Sequence, residues 1–352
     1  MTSVSNENKA MDDSSNAFGF DSQKLAQYLE RHVSGFKGPL TAEKFSGGQS
    51  NPTFLIESSS GRYVLRRKPP GDLLKSAHAV DREFKVISAL AQTDVPVARA
   101  YHLCEDDSIV GSMFYLMEFI DGRVMWDPML RDETAAGRAA IYTEMNRVLA
   151  ALHSVKIEEV GLSDFGKSGN YFERQVGRWS KQYRAAETET IAGMETLMSW
   201  LTANMPADDG RIALVHGDFR LDNMMFHSSQ PRVLALVDWE LSTLGHPFAD
   251  LAYQCMQLRM QSDCIMPGLG GVDREELGIP SEQQYAELYC QRMGLDGIPH
   301  WNFYLAFSFF RFASILQGVK KRALDGNASN ERALQLGELV KPLAAMGALL
   351  ID

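Results

Sequence analysis

Between Leu214 and Glu240 the chain reads LVHGDFRLDNMMFHSSQPRVLALVDWE, and three side chains in it have the types and spacing that phosphoryl transfer calls for. Asp218 follows His216 and Gly217, Asn223 comes five residues after that aspartate, and Asp238 closes the apolar run Val233 to Val237. The run is too short for a membrane helix and reads as a buried strand, with a turn through Ser228 to Pro231 before it. Two acids and an amide therefore sit at the two ends of one strand-turn-strand unit. Moving a phosphoryl group needs one carboxylate near the acceptor hydroxyl, and an Asn plus a second carboxylate to hold Mg²⁺ on the nucleotide phosphates. Each signal alone also suits an ordinary turn, because Gly and Asp tolerate unusual backbone angles. Their joint order and spacing favour the chemical reading.

Such a site needs elements that bring a nucleotide to it, and these are expected upstream. Lys44 to Asn51 reads KFSGGQSN, ahead of a strand-like hairpin, Thr53 to Ile56 and Tyr63 to Arg66. Gly47 and Gly48 would let backbone N–H groups approach phosphates, and Ser46 or Ser50 would add hydroxyl donors. Alone, the glycine pair reads more readily as a plain turn. Protein kinases carry a cation on the strand after such a loop; here the position after Val64-Leu65 is Arg66, with Arg67 and Lys68 as alternatives. An Arg fork binds phosphate bidentately but differs from Lys in reach. The next segment, Ala77 to Leu90, has Val80, Phe84, Ile87 and Leu90 at helical spacing, and Glu83 beside that stripe is in place to face the basic strand. Two further strands, Ala100 to Cys104 and Met113 to Ile120, follow, and the backbone from Glu118 to Ile120 would form the hinge that reads an adenine edge.

Beyond residue 120 helical patterns dominate. Arg131 to Val155 is long and amphipathic, and Tyr171 to Ala186 sets Arg174, Arg178 and Lys181 on one face, a solvated charged face or an anion-binding one. Phe248 to Met260 carries Asp250 in its first turn, where it suits the helix dipole and can brace the metal or the catalytic loop. Gln261 to Gly278, containing Pro267-Gly268-Leu269-Gly270-Gly271, is expected to be a flexible connection and a candidate lid. Ser281–Met293, Trp301–Arg322 and Asn330–Leu350 complete the helical part. His227 and His246 have no partners at metal-ligand spacing and read as structural.

Composition bounds the rest. A chain of 352 residues suggests two lobes, with residues 1–20 as a disordered tail, 21–120 as a nucleotide-binding lobe and 121–352 as a helical lobe holding the acceptor site. Net charge of −10 argues against a nucleic-acid partner. It is unevenly spread, with 13 Lys+Arg against 15 Asp+Glu up to residue 120 and 22 against 30 after it, so an acidic second lobe would attract a cationic substrate. Cys104, Cys255, Cys264 and Cys290 are scattered without a C-x-x-C pair, which fits a reducing cytoplasm. No apolar stretch approaches the length of a membrane span.

Taken together, His216-Gly217-Asp218 with Asn223, Asp238-Trp239-Glu240 and the glycine-bearing loop resemble the aminoglycoside phosphotransferase family of small-molecule kinases, from about Phe45 to Leu350. Tyr171–Tyr183, Leu236–Tyr253 and Ser308–Ser329 further resemble the kinase-like domain fused to acyl-CoA dehydrogenase in some larger proteins. The resemblance implies an α+β, bilobal protein-kinase-like fold, with a small β-sheet N-lobe carrying one helix and a larger, mainly helical C-lobe, and with ATP and Mg²⁺ in the cleft. It implies Asp218 as catalytic base and Asn223 and Asp238 as metal ligands. Arg66 departs from the Lys of many family members. The acceptor implied is a small hydroxylated molecule. The closer resemblance points to a hydroxyacyl-CoA or related metabolite, and the acidic second lobe to an aminoglycoside-like polycation. A nucleotide-binding scaffold without catalysis is the alternative of another class, against which the presence of all three polar side chains speaks.

Overall fold

The computed structural model describes residues 19–45, 51–69, 79–326 and 332–351, so Gly47, Gly48 and Ser50 lie outside the described residues. The chain divides into two compact units, residues 1–92 with 97–121, and residues 93–96 with 122–352.

The first unit is built on five antiparallel strands in the order β1-β2-β3-β5-β4. These are β1 (Leu40–Lys44), β2 (Thr53–Ser58), β3 (Gly61–Arg67), β4 (Ala100–Cys104) and β5 (Phe114–Glu118). Side chains alternate between the two faces of a strand. Phe54, Ile56, Leu65, Phe114 and Leu116 join one apolar cluster with Leu25, Leu29 and Val33, which belong to or directly follow helix α1 (Ser22–His32). Asp21 starts that helix by accepting the N–H groups of Gln23 and Lys24. Helix α2 (Val80–Leu90) packs against β4 and β5, with Val86, Ile87 and Leu90 buried. A one-turn helix, α3 (Asp107–Val110), precedes β5. Four features differ from the expectation drawn from sequence. Strand β1 and helices α1 and α3 lie where no element was expected, and Phe20, expected in the tail, is buried in the apolar cluster.

The second unit is mainly helical. Its helices are α4 (Ala135–His153), α5 (Tyr171–Ala186), α6 (Ala192–Ala203), α7 (Phe248–Arg259), α8 (Arg274–Leu277), α9 (Glu282–Met293), α10 (Trp301–Leu324), α11 (Ala333–Gly337) and α12 (Val340–Ala348). The aromatic-rich α10 lies at its centre, packed by α5, α6, α7, α11 and α12. Two small antiparallel sheets sit among the helices. Strand β7 (Ala213–Val215) pairs with β10 (Thr243–Gly245), while β6 (Arg123–Val124), β8 (Met224–Phe226) and β9 (Val233–Leu236) form the other in the order β6-β8-β9. The connection after α7 is no loose lid. Gly268, Leu269 and Gly270 donate their N–H groups to the carbonyls of Gln261, Leu258 and Met260, and Leu269 is buried. A Cβ on Gly268 or Gly270 would fall 2.3 Å and 2.7 Å from main-chain oxygens, so the segment is pressed against the end of α7. Among the described residues no helix is long and apolar enough to cross a membrane.

Candidate active site

The short sheets of the second unit gather the polar residues of the Leu214–Glu240 stretch. Antiparallel pairing sets Met224 opposite Leu236, and the Val237 N–H donates to the Asn223 carbonyl at 2.9 Å. Asn223, at the entry to β8, is therefore beside Asp238, at the exit of β9. The Asn223 amide nitrogen donates to the Asp218 carbonyl oxygen at 2.8 Å and to its Oδ2 at 2.9 Å. With that nitrogen committed to Asp218, the amide oxygen is the atom Asn223 can offer a cation. Asp238 has φ of +67°, a left-handed conformation that Asp tolerates better than most residues but that still costs about 1–3 kcal/mol.

The loop bearing Asp218 is fastened from below. Asp250 is fully buried on α7, and its two carboxylate oxygens accept the N–H groups of His216 at 2.6 Å and Gly217 at 2.8 Å. Burial alone would raise its pKa; the hydrogen bond from His153, the nearby imidazoles and the Gly217 N–H more than reverse this and hold Asp250 below the usual carboxylate range. His153 in turn reaches Tyr289 OH through Nδ1 at 2.8 Å. His216 lies 2.9 Å through Nε2 from the Val237 carbonyl, which joins the Asp218 loop to the strand that ends in Asp238. Gly217 has φ of +83°, and a Cβ there would meet the Leu241 carbonyl oxygen at 2.6 Å, so only glycine fits.

Three residues around Asp218 escape a reading of the sequence alone. Tyr253 donates its hydroxyl to Asp218 Oδ1 at 2.9 Å. Arg311 of α10 donates to the Gly217 carbonyl at 2.6 Å, with its guanidinium 5.1 Å from the Tyr253 ring and 5.6 Å from that of Trp179. Arg220 forks onto Asp222 and stands 3.9 Å from Asp218 Oδ1. Signals point to two of them: Tyr253 follows Asp250 by three residues on one helix, hence on the same face, and Arg311 is a lone cation in the aromatic run SFFRFAS.

In the first unit, Arg66 points to the α2 side of the sheet and Arg67 to the other. Arg66 Nε is 2.8 Å from Glu83 Oε2. Glu83 is buried and also accepts from Asn51 Nδ2 at 2.7 Å and Tyr115 OH at 3.1 Å. Arg67 instead lies between the rings of Phe20 and Phe54 and donates to the Val110 carbonyl, which removes it as an alternative phosphate contact. Lys68 is partly exposed, 4.0 Å from Asp81. Glu118 ends β5, and its N–H is committed to the Arg99 carbonyl at 2.9 Å; Ile120 follows two residues on. On α5, Arg174 is bound to the carbonyls of Lys167 and Ser168, whereas Arg178 and Lys181 are exposed. His246 is buried with Nε2 3.2 Å from Asp209, and Ser229 N–H donates to His227 Nδ1, so both histidines serve local structure.

Comparison with known proteins converges on one family. The chain is 49% identical over 324 residues to mouse acyl-CoA dehydrogenase family member 10, covering 90% of this chain and 30% of that protein. It is 43% identical over 333 residues to human acyl-CoA dehydrogenase family member 11, covering 93% of this chain and 43% of the relative. It thus spans less than half the length of these curated relatives. A solved structure from Ralstonia eutropha JMP134, described by assignment as an aminoglycoside phosphotransferase, is 51% identical, covers 94% of this chain and 98% of its own, and superposes with a TM-score of 0.87. The aminoglycoside phosphotransferase APH(4)-Ia, solved with AMP-PNP and hygromycin B, shares the fold at 13% identity, with a TM-score of 0.61 over 94% of this chain and 99% of its own. Residues 41–288 match the phosphotransferase enzyme family, APH, and the chain belongs to it.

Proposed function

We propose that this protein is an ATP- and Mg²⁺-dependent phosphotransferase that moves the γ-phosphoryl group to a hydroxyl of a small molecule in the cytoplasm. The observation that carries the reading is the Asp218–Asn223 contact, with Asp238 just past the end of the strand paired with β8. Asp218 is the group that orients the acceptor hydroxyl and takes its proton. Asn223, through its amide oxygen, and Asp238 would hold Mg²⁺, which when bound offsets the charge of the phosphates. Arg66, steadied by Glu83, is the phosphate-binding cation of the first unit, with Gly47, Gly48 and Ser50 as further phosphate contacts. The carbonyl of Glu118 and the amide of Ile120 are the groups proposed to read the base. AMP-PNP in the APH(4)-Ia structure supports nucleotide use.

For the acceptor we favour a hydroxyacyl-CoA or related metabolite. The names of the relatives at 49% and 43% identity support it, as does the pair of exposed cations Arg178 and Lys181, which suits a phosphate-bearing handle. A cationic alcohol is the second reading, favoured by the description of the Ralstonia relative and by the acidic balance after residue 120. Acceptor-dependent ADP release separates them. With Mg·ATP present, 3-hydroxybutyryl-CoA should stimulate ADP release and hygromycin B should not. The reverse selects the cationic alcohol. Tight Mg·ATP binding without ADP release across hydroxyacyl-CoAs, aminoglycosides and small alcohols selects the non-catalytic scaffold.

A further inference from the structure

Both oxygens of the Asp218 carboxylate have donors. Asn223 Nδ2 donates to Oδ2 at 2.9 Å, and the Tyr253 hydroxyl donates to Oδ1 at 2.9 Å. A carboxylate turns easily about its Cβ–Cγ bond, because that torsion has a broad, roughly two-fold profile. Two donors on two different oxygens fix the turn. Two of its four lone-pair sites are then used, and the others keep set directions.

Tyr253 is built for this task and for little else. Its side chain is buried, with the Arg311 guanidinium 5.1 Å from its ring and Phe312 edge-on at 6.0 Å. The same Arg311 donates to the carbonyl of Gly217, the residue before Asp218. One arginine thus fastens the main chain of the Asp218 loop while it faces the ring whose hydroxyl holds the Asp218 side chain. Asp250, three residues before Tyr253 on α7, holds that loop through His216 and Gly217. Helix α7 therefore grips the loop twice, once at main-chain amides and once at the carboxylate. Burial, and next the charge of Asp218, push the Tyr253 phenol well above its ordinary pKa, so it stays protonated and stays a donor.

We infer that Tyr253 is a positioning residue for phosphoryl transfer, whose hydroxyl and the Asn223 amide together hold the Asp218 carboxylate in the one orientation that meets the acceptor hydroxyl. This rests on the reading of Asp218 as the base. In the step itself the acceptor oxygen forms its bond to the γ-phosphorus, the bond from that phosphorus to the ADP oxygen breaks, and the acceptor proton passes to Asp218. Tyr253 keeps its own proton throughout. It touches neither acceptor nor nucleotide and acts only through Asp218.

The test is a double-mutant cycle of Tyr253→Phe and Asp218→Asn. Phe keeps the ring against Arg311 and Phe312 and removes only the hydroxyl. Turnover is read as ADP release from Mg·ATP with 3-hydroxybutyryl-CoA and, without acceptor, as ATP hydrolysis by water; nucleotide affinity is read by calorimetry. A lost hydrogen bond to a charged group translates into a fall in turnover of about tenfold to about a hundredfold. Tyr253→Phe should show that fall at unchanged Mg·ATP affinity, and should add nothing further in the Asp218→Asn background. Wild-type turnover in Tyr253→Phe, with Asp218→Asn inactive, overturns the inference alone. So does a loss that multiplies in the Asp218→Asn background, because a merely structural role acts regardless of the residue at 218. Wild-type turnover in Asp218→Asn overturns the base reading and the inference with it. A readout that needs no acceptor is the crystal structure of Tyr253→Phe: the carboxylate, held by Asn223 alone, should turn so that Oδ1 leaves its wild-type place, and an unmoved carboxylate counts against the role.

Discussion

Replacing Asp250 with Asn tests how the Asp218 loop is held, and its cost follows from the geometry. The two oxygens of Asp250 separately accept the N–H groups of His216 at 2.6 Å and Gly217 at 2.8 Å, in a site closed to water. An amide has one oxygen and one NH₂. Whichever way it is turned, one backbone N–H faces another donor and is left unsatisfied, at a cost of about 1–3 kcal/mol. The surviving bond also loses its charged acceptor, which removes about 1 kcal/mol more. Asp250→Asn should therefore lower the stability of the second unit by about 2–4 kcal/mol. All five tryptophans (Trp126, Trp179, Trp200, Trp239 and Trp301) belong to that unit, so their fluorescence in a urea titration reports its unfolding. The pH dependence follows from the depressed pKa of Asp250. Its contribution is complete above the ordinary Asp value of about 3.9 and is lost as pH falls through the lower folded-state value, so wild type and variant should converge below about pH 4. A variant within about 0.5 kcal/mol of wild type at pH 7, with equally slow exchange of the His216 and Gly217 amides, would show that the Asp250 carboxylate does not hold this loop.

Further outcomes are expected from single changes. Arg66→Ala removes one partner of a buried ion pair and should both destabilise the first unit by about 3 kcal/mol and weaken Mg·ATP binding, whereas Lys68→Ala should leave calorimetric affinity unchanged; the opposite pattern would reassign the phosphate contact. Gly217→Ala forces a methyl into the Leu241 carbonyl at a positive φ and should cost about 2 kcal/mol or more with loss of turnover, and an active, equally stable variant in the same assays would contradict the close approach of Leu241 to that turn.

Much of the candidate site was legible because its residues lie close together in sequence order. Asp218, Asn223 and Asp238 belong to one strand-turn-strand unit, and the fold needed only local pairing to bring them together. Helix α5 has the bounds read from its sequence, Tyr171–Ala186. The choice among three consecutive basic residues was not local. Period-two alternation puts Arg66 and Arg67 on opposite faces, but which face carries Glu83 depends on where α2 packs. Tyr253 and Arg311 were missed for the same reason, because each meets Asp218 or its loop across a long sequence separation. Strands β7 and β10 are three residues each, too short for a periodic signal, and glycine-rich composition suggested flexibility at 267–271 where close packing against α7 requires glycine instead.

If Asp218 is the base of a phosphoryl transfer, Asp218→Asn removes the group that takes the proton. Asn keeps the shape and can still accept the Tyr253 hydrogen bond, but it cannot take a proton. The Asn223 amide then faces the new NH₂ in a partly exposed site, so a modest loss of stability is expected. The variant should still fold, bind Mg·ATP with nearly wild-type affinity, and lose acceptor-dependent ADP release by about 10² to 10⁴. Wild-type ADP release in a well-folded Asp218→Asn protein would show that Asp218 is not the base, and a parallel collapse of stability and nucleotide affinity would make it a purely structural residue.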